Sequence, residues 1–291
     1  MKKLYLGIFA IACLMLFNTT NVTANSKKAW MEDDLIAQII KSIPSPIEIT
    51  VLMKESGVLY NKELLNDHSK SGKYATNFDK ALNLGIYSTD LGFSNIYGKT
   101  QDAIHYLDAV QDLAEGLSIE EFFEYRALKD MASSDNLDEL IQTTTRNFEK
   151  INDHLHEQKR DVISALMLSG GWVESTYLTT LVYKRANNTK VRKALAEKIG
   201  EQKLVLERLM LLLDIYSSKP RVPELAASMQ ELQDVYDEIE IVSGQGGVEI
   251  VEHPDGRVEF IDKGEGHVEI SEEQIGEITK IIDKIRSNII Q

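Results

Sequence analysis

Cysteine is almost missing from this chain: Cys13 is the only one in 291 residues, and it lies within an apolar run at the N-terminus. If that run is removed, disulfides, a cysteine nucleophile and thiolate-held metals are all excluded. Proline is scarce too, with five in the whole chain, so little interrupts long helical stretches. Positive charge is in deficit. The 32 Lys and Arg against 46 Asp and Glu leave a formal net charge of −14, a surface that repels nucleic acid and anionic lipid. The familiar catalytic patterns are also missing. There is no HExxH and no glycine-rich phosphate loop leading from a strand into a helix. Ser169-Gly170-Gly171 lies inside a helical stretch and does not form a nucleophile elbow.

The first 24 residues read as an export signal. Lys2 and Lys3 precede an apolar run from Leu4 to Phe17, and Val22-Thr23-Ala24 forms a small-residue cleavage site. The run is shorter than the roughly 20 residues that a membrane-spanning helix needs. Cleavage after Ala24 predicts a mature chain of 267 of the 291 residues, periplasmic or secreted, with no transmembrane segment. Loss of Lys2 and Lys3 takes the charge from −14 to −16. Lipid attachment at Cys13 is disfavoured because Leu14 to Phe17 continue the apolar run beyond it.

Helical periodicity dominates the remainder, and the pattern predicts an all-α fold, an antiparallel bundle of about nine helices. Met31 to Ile43 and Pro46 to Ser56 form two short helices around Pro44-Ser45-Pro46, and a further short turn lies near Glu63. Thr76 caps a long helix ending at Gly98, and Thr100 starts the next, ending near Gly116. Ser118-Ile119-Glu120-Glu121 reads as a capping box opening a helix to about Met131. Helices follow over 135–156, 160–186 and 189–216, and another opens at Pro223. Ser271-Glu272-Glu273-Gln274 is a second capping box, ahead of a final helix with Ile275, Ile278, Ile282, Ile285 and Ile289 on one face.

One segment breaks this texture. Val248-Glu249-Ile250, Val258-Glu259-Phe260 and Val268-Glu269-Ile270 recur every ten residues with turn chemistry between them. The alternation predicts a three-stranded antiparallel meander over 241–270. The organisation is therefore a signal at 1–24, a helical domain at 25–240, the meander, and a C-terminal helix at 271–291 packed on the bundle.

Two helical stretches carry interior glycines: LNLGIYSTDLGFSNIYG from Leu82, and LMLSGGWVESTYLTT from Leu166. Each such glycine costs about 1 kcal/mol relative to alanine. Gly85, Gly92, Gly170 and Gly171 are therefore expected where two helix backbones cross closely. The other reading is room for a ligand edged by Tyr87, Asp90, Trp172, Glu174 and Tyr177. Aromatic rings with two carboxylates suit a cationic or sugar-like molecule, and Asp90 with Glu174 could form an acid/base pair. Asp102-x-x-His105 and Asp153-x-x-His156 distantly resemble the carboxylate–histidine pairs of four-helix di-metal proteins, but aspartate replaces glutamate. No metal site and no cofactor is assigned.

Ile43–Gly57 (IPSPIEITVLMKESG), Ala81–Gly92 (ALNLGIYSTDLG) and Ser169–Glu174 (SGGWVE) resemble a group of uncharacterised, exported, mainly helical proteins of Gram-negative bacteria. The likeness runs from about residue 43 to the C-terminus. It implies export and a helical fold, and it carries over no site residue. The expected role is a non-enzymatic binding or structural protein of the envelope, its partner a small molecule or another envelope protein. A small-molecule-binding or enzymatic pocket between the helices around Gly85 and Gly170 is the alternative, and a helical-bundle di-metal protein a distant one.

Overall fold

The computed structural model describes residues 35–43, 52–54, 56–134, 137–242, 248–252, 258–262 and 267–291. The signal region with Cys13, and most of the predicted helix over 46–56, lie outside the described residues. The chain divides into two compact units, 1–42 and 43–291. In the first, a helical stretch covers 35–41.

The second unit is an all-α bundle. Its helices are α1 (Asn77–Ile96), α2 (Thr100–Leu117), α3 (Tyr125–Ser134), α4 (Leu137–Glu157), α5 (Asp161–Arg185), α6 (Thr189–Ile215), α7 (Val222–Asp237) and α8 (Glu272–Ile289). Among the described residues, no helix is long and apolar enough to cross a membrane.

The helix ends follow from local chemistry. Thr76 accepts the Asp79 N–H at 3.1 Å to start α1, and Gly98 leaves it with φ of 63°, a conformation that glycine adopts freely. Asn188 accepts from the Lys190 and Val191 N–H groups to open α6. Pro223 stands in the first turn of α7, where its missing N–H costs nothing. Ser271 and Gln274 form a reciprocal capping box on α8.

Ser118 departs from expectation. It adopts a left-handed conformation at the end of α2, and its N–H is used on Ala114 and Glu115 carbonyls. A residue closing one helix in this way is not extended, so it does not cap the next. Residues Glu120–Phe122 form a 3₁₀ turn instead, and α3 starts at Tyr125.

α5 is the central helix. Ile163, Leu166, Gly170, Val173, Glu174, Ser175 and Leu178 are all buried, and these positions cover its whole circumference, as a helix surrounded by neighbours requires. It packs most extensively on α1, and also on α4, α6 and α8. Gly85 and Gly170 sit at the α1–α5 crossing. A Cβ added to Gly85 would run into the Met167 carbonyl oxygen and come within 2.6 Å of the Gly171 nitrogen. A Cβ on Gly170 would run into the Leu82 carbonyl oxygen, with the Leu82 carbonyl carbon at 2.7 Å. Thr89 bridges the two helices, its hydroxyl donating to Gly85 O at 3.1 Å and lying 3.3 Å from Gly171 O. Gly92 is buried one turn farther along α1.

The β segment is not a three-stranded meander. β2 (Val248–Glu252) pairs antiparallel with β3 (Val258–Asp262), and β1 (Glu240–Val242) pairs antiparallel with β4 (His267–Glu269). These are two two-stranded sheets, the β2–β3 hairpin nested between the strands of the β1–β4 pair. The third triplet, at Val268, has Ile241 as its partner and not the strand at Val258. A ten-residue period announces strands but does not choose their partners. The β1–β4 pair rests on α6, where Val268 stands directly against Gly200.

Candidate functional site: a buried carboxyl–arginine cluster

α1 buries two faces of different character. Leu82, Gly85 and Thr89 meet α5. Asn83, Tyr87, Asp90 and Ser94 recur at helical spacing on a second, polar face, and all four are buried. The segment 60–74 lies along that polar face. It contains two 3₁₀ turns, Lys62–Leu64 and His68–Lys73.

Hydrogen bonds join the two surfaces. The Asn66 N–H donates to Asp90 Oδ2 at 3.1 Å, and Asn66 Nδ2 donates to Tyr74 Oη at 3.1 Å and lies 3.4 Å from Asn83 Oδ1. The Tyr87 hydroxyl donates to Asp67 O at 2.9 Å. Tyr60 lies 3.3 Å from the Ser94 hydroxyl and donates to Asp102 Oδ2 at 3.0 Å. From α2, Tyr106 donates to Asn66 O at 2.9 Å.

At the centre of this surface Asp90 meets Glu174 of α5 and Arg286 of α8, with exposures of 0%, 0% and 6%. Arg286 holds Glu174 in a bidentate pair, Nε to Oε2 at 2.5 Å and Nη2 to Oε1 at 2.8 Å. Nη2 also donates to Leu64 O at 3.1 Å. The guanidinium lies over the half-buried Tyr177 ring, 4.3 Å from its centroid. Asn83 and Lys73 then donate to the Ile289 and Ile290 carbonyls, at 3.2 and 2.7 Å, satisfying groups that a helix C-terminus leaves open.

Two carboxylates and one guanidinium leave one negative charge unbalanced in a buried site. Burying such a charge costs so much that the group takes up a proton instead. Burial, and then the Glu174 charge, push the Asp90 carboxyl well above its ordinary 3.8, against the opposing pull of Arg286 and the Asn66 N–H. A protonated Asp90 also accounts for its Oδ1, a buried oxygen that meets no N–H or O–H donor among the described residues. Burial likewise raises the hydroxyls of Tyr60, Tyr87 and Tyr106 above their ordinary value, so these rings are neutral hydrogen-bond donors.

The five residues expected to edge a pocket separate into two groups. Asp90, Glu174 and Tyr177 meet around Arg286, and Tyr87 lies alongside on the polar face of α1. Trp172 points elsewhere, its Nε1 donating to Gln202 Oε1 at 3.0 Å, and its ring lies 6.5 Å from that of Tyr236. Two residues before Glu174 on a helix is the far side. The residue that sequence reasoning missed is Arg286. Its signal was available: it follows Ile285 and lies four residues after Ile282, so a charge stands on the apolar face of α8. Asn66 and Tyr106 carried no comparable signal, because they enter from a loop and a separate helix.

The two Asp-x-x-His pairs have other partners. Asp102 accepts from Tyr60, His105 stacks on His68 at 4.6 Å, and His156 Nδ1 lies 2.6 Å from Asp161 Oδ1. Among the described residues, no three His, Cys, Asp or Glu side chains gather as a metal-holding group. No family model, curated protein or solved structure matches the chain.

Proposed function

We propose that the chain is an exported envelope protein, periplasmic or secreted after cleavage near Ala24, with a non-enzymatic binding or structural role. The observation that carries this reading is the use made of the two carboxyls. An acid or base has to come within hydrogen-bond reach of its substrate. Both oxygens of Glu174 are instead occupied by Arg286, and Asp90 is sealed beneath Asn66. The cluster spends its bonding capacity on joining α1, α5, α8 and segment 60–74. Export rests on Lys2-Lys3, the apolar run and Val22-Thr23-Ala24, together with the resemblance to exported helical proteins from about residue 43 onward.

Native mass spectrometry on the full chain, expressed in a Gram-negative host and recovered from the periplasm, tests both parts. The expected mass is that of residues 25–291 without a bound small molecule. An unprocessed product left in the cytoplasm contradicts export. A retained non-protein mass, lost from a still-folded Asp90→Asn variant, replaces the structural role with a ligand pocket at the cluster.

A further inference from the structure

Segment 60–74 is held unlike the rest of the bundle. Leu65 and Tyr74 are buried, and the Tyr60 and Tyr74 rings lie against Phe93 and Tyr87, but over the cluster itself the segment is held by polar bonds. Asn66 is bonded to Asp90, Asn83 and Tyr106, Leu64 O to Arg286, Asp67 O to Tyr87 and Ser71 to Asp112. The α1–α5 crossing beneath it is backbone against backbone. Of the two covers over the cluster, the segment is the weaker, because short 3₁₀ turns with few buried apolar groups open more readily than packed helices.

We propose that residues 60–74 form a strap over the Asp90–Glu174–Arg286 cluster, closed while Asp90 keeps its proton and opening to solvent when that proton is lost. This goes beyond a structural role by making the clasp conditional on pH. The groups around Asp90 set the condition. α5 supplies Glu174 and α8 supplies Arg286, already committed to Glu174. α2 contributes the Tyr106 hydroxyl, α1 contributes Tyr87, and the strap contributes Tyr60 and Tyr74. Asp67 and Asp102 add negative charge at the rim, where the tyrosines feel it. Arg286 is the only cation of this set, so an ionised Asp90 faces Glu174 without a counter-charge of its own. The one bond that ionisation strengthens is the Asn66 N–H, and it is outweighed by burial and by Glu174. Water admitted by an open strap relieves both.

The sign follows from linkage. The closed state, which buries Asp90, holds its proton more tightly than an open, hydrated state does. Closure is therefore strongest at low pH. It weakens by up to about tenfold per pH unit as pH rises towards the raised value in the closed state, and then levels off.

Amide hydrogen exchange on the full chain, corrected for intrinsic chemistry at each pH, reads this directly. Protection across 60–74, the Asn66 N–H above all, is expected to fall as pH rises while amides of α5 around Glu174 stay protected. Asp90→Asn, which keeps an acceptor for Asn66 and gains a donor for Glu174, is expected to remove the slope. Should that variant fail to fold, the infrared carboxylic-acid band of the wild-type chain serves instead, and its loss has to follow the loss of strap protection. Strap protection that ignores pH overturns the proposal. So does an unchanged slope in Asp90→Asn, or simultaneous exposure of strap and α5, and each of these leaves the non-enzymatic reading of the cluster standing.

Discussion

Asp90 turns a general fact about buried charge into a measurable property of one side chain. Its folded value is raised, by burial first and by Glu174 second, so the native state keeps a proton that the unfolded chain has released. Stability from this group is fully present below about 3.8 and declines as pH rises towards the folded value. Urea unfolding of wild type and Asp90→Asn between about pH 5 and about pH 9 is expected to give curves that diverge, with the wild type losing stability relative to the variant. The amide reproduces the protonated carboxyl, so Asp90→Asn is also expected to be at least as stable as wild type at the alkaline end. Parallel curves would mean that Asp90 is ionised in the native state.

The α1–α5 crossing makes its own demand at the scale of the element. Each added Cβ at Gly85 or Gly170 meets carbonyl backbone, which cannot swing aside as a side-chain tip can. Gly85→Ala is expected to cost about 3 kcal/mol or more, at the upper end of overpacking effects. Gly276→Ala is the control, since a Cβ there meets nothing within 4 Å. It is expected to stabilise α8 by about 0.5–1 kcal/mol through helix propensity and lost unfolded-state freedom. Thermal unfolding of the two variants checks both signs. Equal behaviour would show that the crossing tolerates a methyl group.

Elements were legible in the sequence where a single residue's chemistry decides them. Thr76, Pro223 and Ser271 mark helix starts because the orphan N–H groups of a first turn need an acceptor or a proline. Ser118 carried the same sequence signature and failed, because α2 reached it first and took its backbone for a C-terminal cap. The Val248 and Val258 triplets announced strands, yet the pairing of β1 with β4 depended on Ile241, outside the repeat. The glycines and carboxylates of the two crossing helices stood out because each is costly where it occurs. Trp172 could not be separated from Glu174 until helical phase against particular neighbours was known, and the contribution of segment 60–74 was invisible because loops carry no periodicity.

Across the whole molecule, the cluster joins parts far apart in the chain. Leu64, Asp90, Glu174 and Arg286 come from a loop, the first long helix, the central helix and the last one. Their bonds fix the end of α8 against the α1–α5 pair, with Asn83 and Lys73 closing its last carbonyls. Such a clasp gives little net energy when intact, since desolvation consumes most of the Coulombic gain, but it is costly to break from one side.

A double-mutant cycle on Glu174 and Arg286, read by chemical denaturation, tests the clasp most directly. Arg286→Met is expected to cost about 3–5 kcal/mol by leaving Glu174 without its cation, Glu174→Met less because Asp90 can ionise and take over Arg286, and the double variant is expected to cost less than the sum of the two. Additive costs would contradict the account, because they would mean that the two groups do not depend on each other for their place in the core.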